Sequence, residues 1–211
     1  MNPKNIKAPF LQPDDIEAEA LRVRNKYPSL QKVPIDVMAF AEFDLGLEFD
    51  FASVRHLGQE AFLYPDLSGI WFDKASFKDP SQHNRLRFSA AHELGHYYLH
   101  DKIYNGANFK TVKQWAAFIS GIPIAQYHWI ERHADEFAGQ FLIPSKELSI
   151  ALDETVSDAE REGFFEQGKE EVLSFCCRPL SISFAVSFAA MQTRIRRSRF
   201  WPHKKVAKLS N

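Results

Sequence analysis

Two histidines four residues apart, with a glutamate directly after the first, constrain this chain more than any other feature. They lie in Ala90-Ala91-His92-Glu93-Leu94-Gly95-His96-Tyr97-Tyr98-Leu99-His100. On an α-helix, positions i and i+4 sit about 40° apart around the axis and one turn along it. Two imidazoles so placed converge on one tetrahedral ion at roughly 2.0–2.1 Å. Glu93 then reaches a water on the ion's open side without being a ligand itself. The segment must therefore be helical, and a helix is expected over residues 84–99, with Leu86, Phe88, Ala90 and Ala91 on its apolar side. The plainer alternative is a polar pair on a half-buried helix, satisfied by its neighbours.

A catalytic zinc takes three protein ligands and keeps one position open. A third histidine six residues after His96 would fall at position 102, which is Lys102. A helix expected over 127–142 offers Glu131-Arg132-His133-Ala134-Asp135 instead. Glu131 and Asp135 share one face: Glu131 suits the metal, and Asp135 suits a hydrogen bond from the far nitrogen of a ligating histidine. His133 is about 200° around the helix from Glu131 and should point away from the metal. His100, about 12 Å along the helix from His92, is too far to share the ion and reads as a helix-end residue near the C-terminal dipole. His56, His83, His128 and His203 have no ligand-like partner, and Tyr97 and Tyr98 read as core packing.

The remaining pattern gives an α+β fold: a small antiparallel sheet of about three strands packed on a bundle that contains the histidine helix. Helices are expected over 13–27 and, capped by Asp36 and closed by Gly46, over a short stretch after it. Residues 47–51, 61–64 and 69–72 are β-like, and Pro65-Asp66-Leu67-Ser68-Gly69 reads as a hairpin turn. Trp115, Phe118, Ile119 and Ile122 have the spacing of a core-facing helix. Residues 153–171 form an acidic, solvated helical face, and residues 179–199 a last helix with an apolar half and a basic end.

Arg85-Leu86-Arg87-Phe88-Ser89-Ala90-Ala91-His92-Glu93-Leu94-Gly95-His96, together with Glu131 to Pro144, resembles the ImmA/IrrE family of metallopeptidases. The resemblance reaches forward through Pro34-Ile35-Asp36-Val37 to Ala8-Pro9-Phe10-Leu11. It implies a zincin-like domain over residues 1–150, followed by a helical extension with a basic tail over 151–211. It also implies His92, His96 and Glu131 as ligands of zinc, or of another divalent ion such as manganese, and Glu93 as the catalytic carboxylate. Known members cut helix-turn-helix repressors in mobile-element or DNA-damage responses, so a transcriptional repressor or antitoxin is the implied protein substrate. His133 and Asp135 depart from the residues common in relatives. By analogy with other helix–zinc peptidases, the substrate should add as a strand to a sheet edge, formed by residues 69–72.

The 26 basic and 27 acidic groups among 211 residues nearly cancel, but they are unevenly placed. The last twenty residues hold seven basic groups (Arg194, Arg196, Arg197, Arg199, Lys204, Lys205 and Lys208) and no acid, which leaves 19 basic against 27 acidic groups in the rest. That is not the balance of a dedicated nucleic-acid coat protein. The tail, with Phe200 and Trp201 interleaved, nevertheless keeps a DNA-binding regulator as an alternative. A metal-stabilised interaction protein without catalysis is another. The adjacent Cys176 and Cys177 do not suit a structural disulfide, no apolar leader opens the chain and no stretch is long enough to span a bilayer, so the expectation is a cytoplasmic protein.

Overall fold

In the computed structural model, which describes residues 2–52, 60–104 and 112–209, local sequence sets most element boundaries. Helix α1 (Pro13–Lys26) starts on Pro13, with the Gln12 amide held 2.8 Å from Asp15 Oδ2, and buries Ile16, Ala20 and Val23. Asp36 Oδ1 accepts from the Ala39 amide at 3.1 Å and caps α2 (Val37–Ala39). A π-turn over Phe40–Asp44 follows, and Gly46, at φ +69°, releases the chain into the sheet.

The sheet comprises β1 (Glu48–Ala52), β2 (Ala61–Leu63) and β3 (Gly69–Asp73), in the spatial order β1-β3-β2. β2 and β3 form the expected hairpin, with Leu63 opposite Ile70. β1, however, pairs with β3 in parallel, Glu48 opposite Gly69, so the sheet is mixed rather than antiparallel. Alternation of apolar residues tells which face of a strand is buried, not which way its neighbour runs. The expectation that residues 69–72 form an edge also fails, because β3 is the central strand. Ile70 and Phe72, on one face of β3, are fully buried, while Trp71 on the other face is partly buried. A side chain at Gly69 would stand 2.4 Å from the Glu48 carbonyl oxygen of β1.

Asp73 Oδ2 caps α3 (Lys74–Lys78) through the Ser76 amide, and a 3₁₀ turn over Pro80–Gln82 leads into α4 (His83–Leu99). Next come α5 (Asp101–Tyr104), α6 (Val112–Ile119), α7 (Ile124–Leu142) and α8 (Ser145–Arg161). The acidic stretch then breaks at a 3₁₀ turn, Phe164–Gln167, before α9 (Lys169–Ser183) and α10 (Phe188–Arg197). The single helix expected over 179–199 is therefore two, because Ser187 Oγ accepts from the Ala190 amide and starts a new helix 116° from the last. α4 and α1 both pack on α7. Trp115, Phe118 and Ile122 are buried as expected. One hydrophobic cluster runs across position 150, from Leu94, Phe137 and Phe141 through Leu152 and Leu173 to Met191, Ile195 and Val206. No single helix among the described residues is long and apolar enough to cross a membrane.

Candidate metal centre

The two helices that carry the sequence motifs pack against each other within the motif itself. Gly95 of α4 faces Ala134 of α7 without room for a methyl group between them. This brings His92 and His96 opposite Glu131. The His92 and His96 Nε2 atoms are 3.1 Å apart, His92 Nε2 is 3.4 Å from Glu131 Oε2, and His96 Nε2 is 3.5 Å from Glu131 Oε1. A tetrahedral ion with bonds of 2.0–2.1 Å separates its ligand atoms by about 3.3–3.4 Å. The two separations to Glu131 end on different carboxylate oxygens, and the three side chains converge closely enough to hold a metal.

Glu93 stays out of this triangle. Its side chain is buried, and Oε2 accepts a 2.7 Å hydrogen bond from the Leu63 amide of β2. Burial raises the Glu93 pKa, against the opposing pull of His96, His92 and the Leu63 amide. Glu131 behaves the other way: burial would raise its pKa, but hydrogen bonds from His92 and His96 hold it well below the usual carboxylate range. Burial would lower the His92 pKa, yet Asp135 and Glu131 overcome it and push it up to about 10. Asp135 Oδ1 lies 2.8 Å from His92 Nδ1.

Three side chains were not assigned to the site from sequence. His100 is buried at the end of α4, and its Nδ1 lies 3.0 Å from His96 Nδ1. His133 stacks on His100, with ring centroids 5.7 Å apart and Nδ1 3.5 Å from His100 Nε2. The sequence signal for His100 is its i+4 spacing from His96. Buried Tyr104 sits beside His96, at a centroid distance of 5.9 Å. Tyr98, by contrast, stacks on Phe137 in the core, and Tyr97 packs against Tyr98. His203 pairs with Asp153 at 2.7 Å, and His56 lies outside the described residues.

The triad opens into a cleft of about 480 Å³. Its walls include Ala61 of β2, Phe88 of α4, Glu136 of α7 and Thr193 of α10. The basic groups of the tail are largely engaged with the acidic body. Arg196 pairs with Glu170, Arg197 with Glu136, Arg199 with Glu17 and Lys205 with Glu160. Arg194 is buried and donates to the Ile143 carbonyl and to Ser145 Oγ.

The model of the peptidase M78 family, described as the IrrE N-terminal-like domain, matches residues 79–196, more than half of the chain. The chain belongs to the peptidase M78 family. The match spans α4 to α10, from the histidine helix to the helix that walls the cleft, and marks a metallopeptidase-like domain. Among solved structures, a Mycobacterium tuberculosis transcriptional regulator has a similar fold, with a TM-score of 0.52 at 17% sequence identity. The similarity covers 88% of this chain but 48% of that one, so this chain spans about half the regulator's length. No curated protein matches the chain in sequence.

Proposed function

We propose that this M78 protein is a zinc-dependent endopeptidase. The observation that carries the reading is the convergence of His92, His96 and Glu131, with the Glu93 carboxylate alongside but outside the ligand triangle. A purely structural zinc site would be closed by a fourth protein ligand. Zinc held there would supply Lewis acidity at the scissile carbonyl and toward the attacking water. Glu93 takes the proton from that water and delivers it to the leaving amine. Asp135 keeps His92 oriented.

The substrate docks on β2, not β3. The Asp73 amide donates to the Glu60 carbonyl and the Tyr64 amide to the Gly69 carbonyl, so the peptide groups at Ala61 and Leu63 turn outward from the hairpin. The Leu63 amide already meets Glu93, and Ala61 lines the cleft. An extended peptide adding to this edge would carry its backbone past the triad. The family resemblance favours a helix-turn-helix repressor or antitoxin as that peptide's source. The DNA-binding alternative is less well supported, since four of the tail's basic groups already pair with acids of the body.

The test uses the full-length protein loaded with zinc and helix-turn-helix proteins encoded beside its gene, with fragments read by mass spectrometry. The wild type should cut one of them, while Glu93→Gln should retain one equivalent of zinc and lose at least about 10²-fold in rate. Undiminished cleavage by Glu93→Gln, or no zinc binding by the wild type, would overturn the reading.

A further inference from the structure

The two ligand histidines are backed by different chemistry. His92 Nδ1 faces the half-exposed carboxylate of Asp135, whereas His96 Nδ1 faces a buried imidazole, that of His100. When the Nε2 atoms of both ligands are turned to a metal, each Nδ1 must carry the proton. The His96 Nδ1–H then donates to His100 Nδ1, 3.0 Å away. That atom must present a lone pair, which places the His100 proton on Nε2, aimed at His133 Nδ1 at 3.5 Å. The direction of the whole chain, from His96 through His100 to His133, follows from the metal end.

We propose that His100 is a positioning residue that fixes the tautomer and ring orientation of His96, and that His133 orients His100 in turn. The proposal rests on the metal reading of the triad. The arrangement has a chemical consequence. Glu131, Asp135 and the nearby Glu93 already supply enough negative charge to offset a divalent ion, and a further carboxylate behind His96 would blunt its Lewis acidity. A neutral imidazole fixes the ligand without adding negative charge. The position is also sterically defined, because His100 is the C-terminal cap of α4, its amide bonded to the His96 carbonyl at 3.0 Å.

Zinc affinity of the full-length protein, measured by competition with a chromophoric chelator, separates this role from packing. His100→Phe keeps an aromatic ring against His133 but offers no acceptor. It should weaken zinc binding roughly 10–100-fold. His100→Asn loses the ring but places an amide oxygen near the former Nδ1, and it should recover most of that loss. A packing role predicts the reverse order. Zinc binding by His100→Phe equal to wild type, or by His100→Asn as weak as His100→Phe in folded protein, would overturn the proposal. Should either variant fail to fold, ¹⁵N imidazole NMR of the zinc-loaded wild type decides by itself. The proton is expected on Nδ1 of His96 and on Nε2 of His100, and a His100 proton on Nδ1 would refute the chain. A wild type that binds no zinc removes the metal reading itself. Normal zinc binding that is unaffected by His100→Phe removes only the role of His100.

Discussion

Gly95 lies so close to Ala134 that a methyl group on it would stand 2.8 Å from the Ala134 Cα and 3.0 Å from its carbonyl oxygen. The obstacle is backbone, which cannot swing aside. An exposed glycine in mid-helix would gain about 1 kcal/mol from replacement by alanine. Here Gly95→Ala must push α4 away from α7, at a cost of about 1–3 kcal/mol for overpacking. The displacement also draws Glu131 away from His92 and His96, whose Nε2 atoms lie 3.4 and 3.5 Å from its two carboxylate oxygens. Net destabilisation in denaturant melts and weaker zinc binding are expected together. A more stable variant with unchanged affinity would show that the contact does not set the helix separation.

Asp135 is expected to act through its acceptor oxygen rather than its charge. Asp135→Asn retains an oxygen 2.8 Å from His92 Nδ1 after choosing the appropriate amide rotamer, and should bind zinc within a few-fold of wild type. Asp135→Ala leaves the imidazole without its partner and should lose roughly 10–100-fold. Chelator competition at fixed pH checks both, and equal losses for the two variants would point to charge instead.

The parts of the molecule legible in sequence are those fixed by short-range geometry. The i, i+4 spacing of His92 and His96, the one-turn separation of Glu131 and Asp135, the Asp36 cap and the hairpin at Pro65 to Gly69 all involve neighbours within a turn or so. Relations between distant segments were not legible. Nothing in Glu48 to Ala52 announces that β1 runs parallel to β3, and nothing in Thr193 announces that α10 walls the cleft. The break at Ser187 was masked because apolar residues continue on both sides of it. The place of His133 behind His100 depends on the packing of α7 on α4.

Acid should weaken the join between α1 and α8. Arg24 is buried and gives its guanidinium to the Leu30 carbonyl and to Glu147, with Nη2 2.9 Å from Glu147 Oε1. Burial would raise the Glu147 pKa, but the Arg24 hydrogen bond outweighs it and holds it below the usual value. A carboxylate depressed in the folded state contributes stability above its unfolded pKa of about 4.3, and that contribution disappears as pH falls through the lower folded value. Glu147→Gln should therefore cost about 1–2 kcal/mol at neutral pH, allowing for the partial exposure of the pair. The difference from wild type should shrink in melts carried from pH 6 toward pH 3. A difference independent of pH would assign the loss to packing.

The cysteines should report on the opening of α9. Burial pushes the Cys176 thiol up to about 11, a rise that a hydrogen bond with Thr155 only partly offsets, and burial also pushes Cys177 up to about 12. At pH 8 a thiol with a pKa of 11 is only about 0.1% thiolate, against roughly a quarter for a free cysteine, and the thiolate is the reactive form. Both side chains are also shut off from solvent. Native protein should thus release almost no chromophore from an aromatic disulfide reagent at pH 8, and denatured protein should release two equivalents. Modification in the native state then requires α9 to separate from α8 and α10, so its slow rate should track global stability across the Gly95→Ala and Glu147→Gln variants. Rapid labelling of either thiol in folded protein would place α9 on the surface and contradict the packing that seats α10 against the cleft.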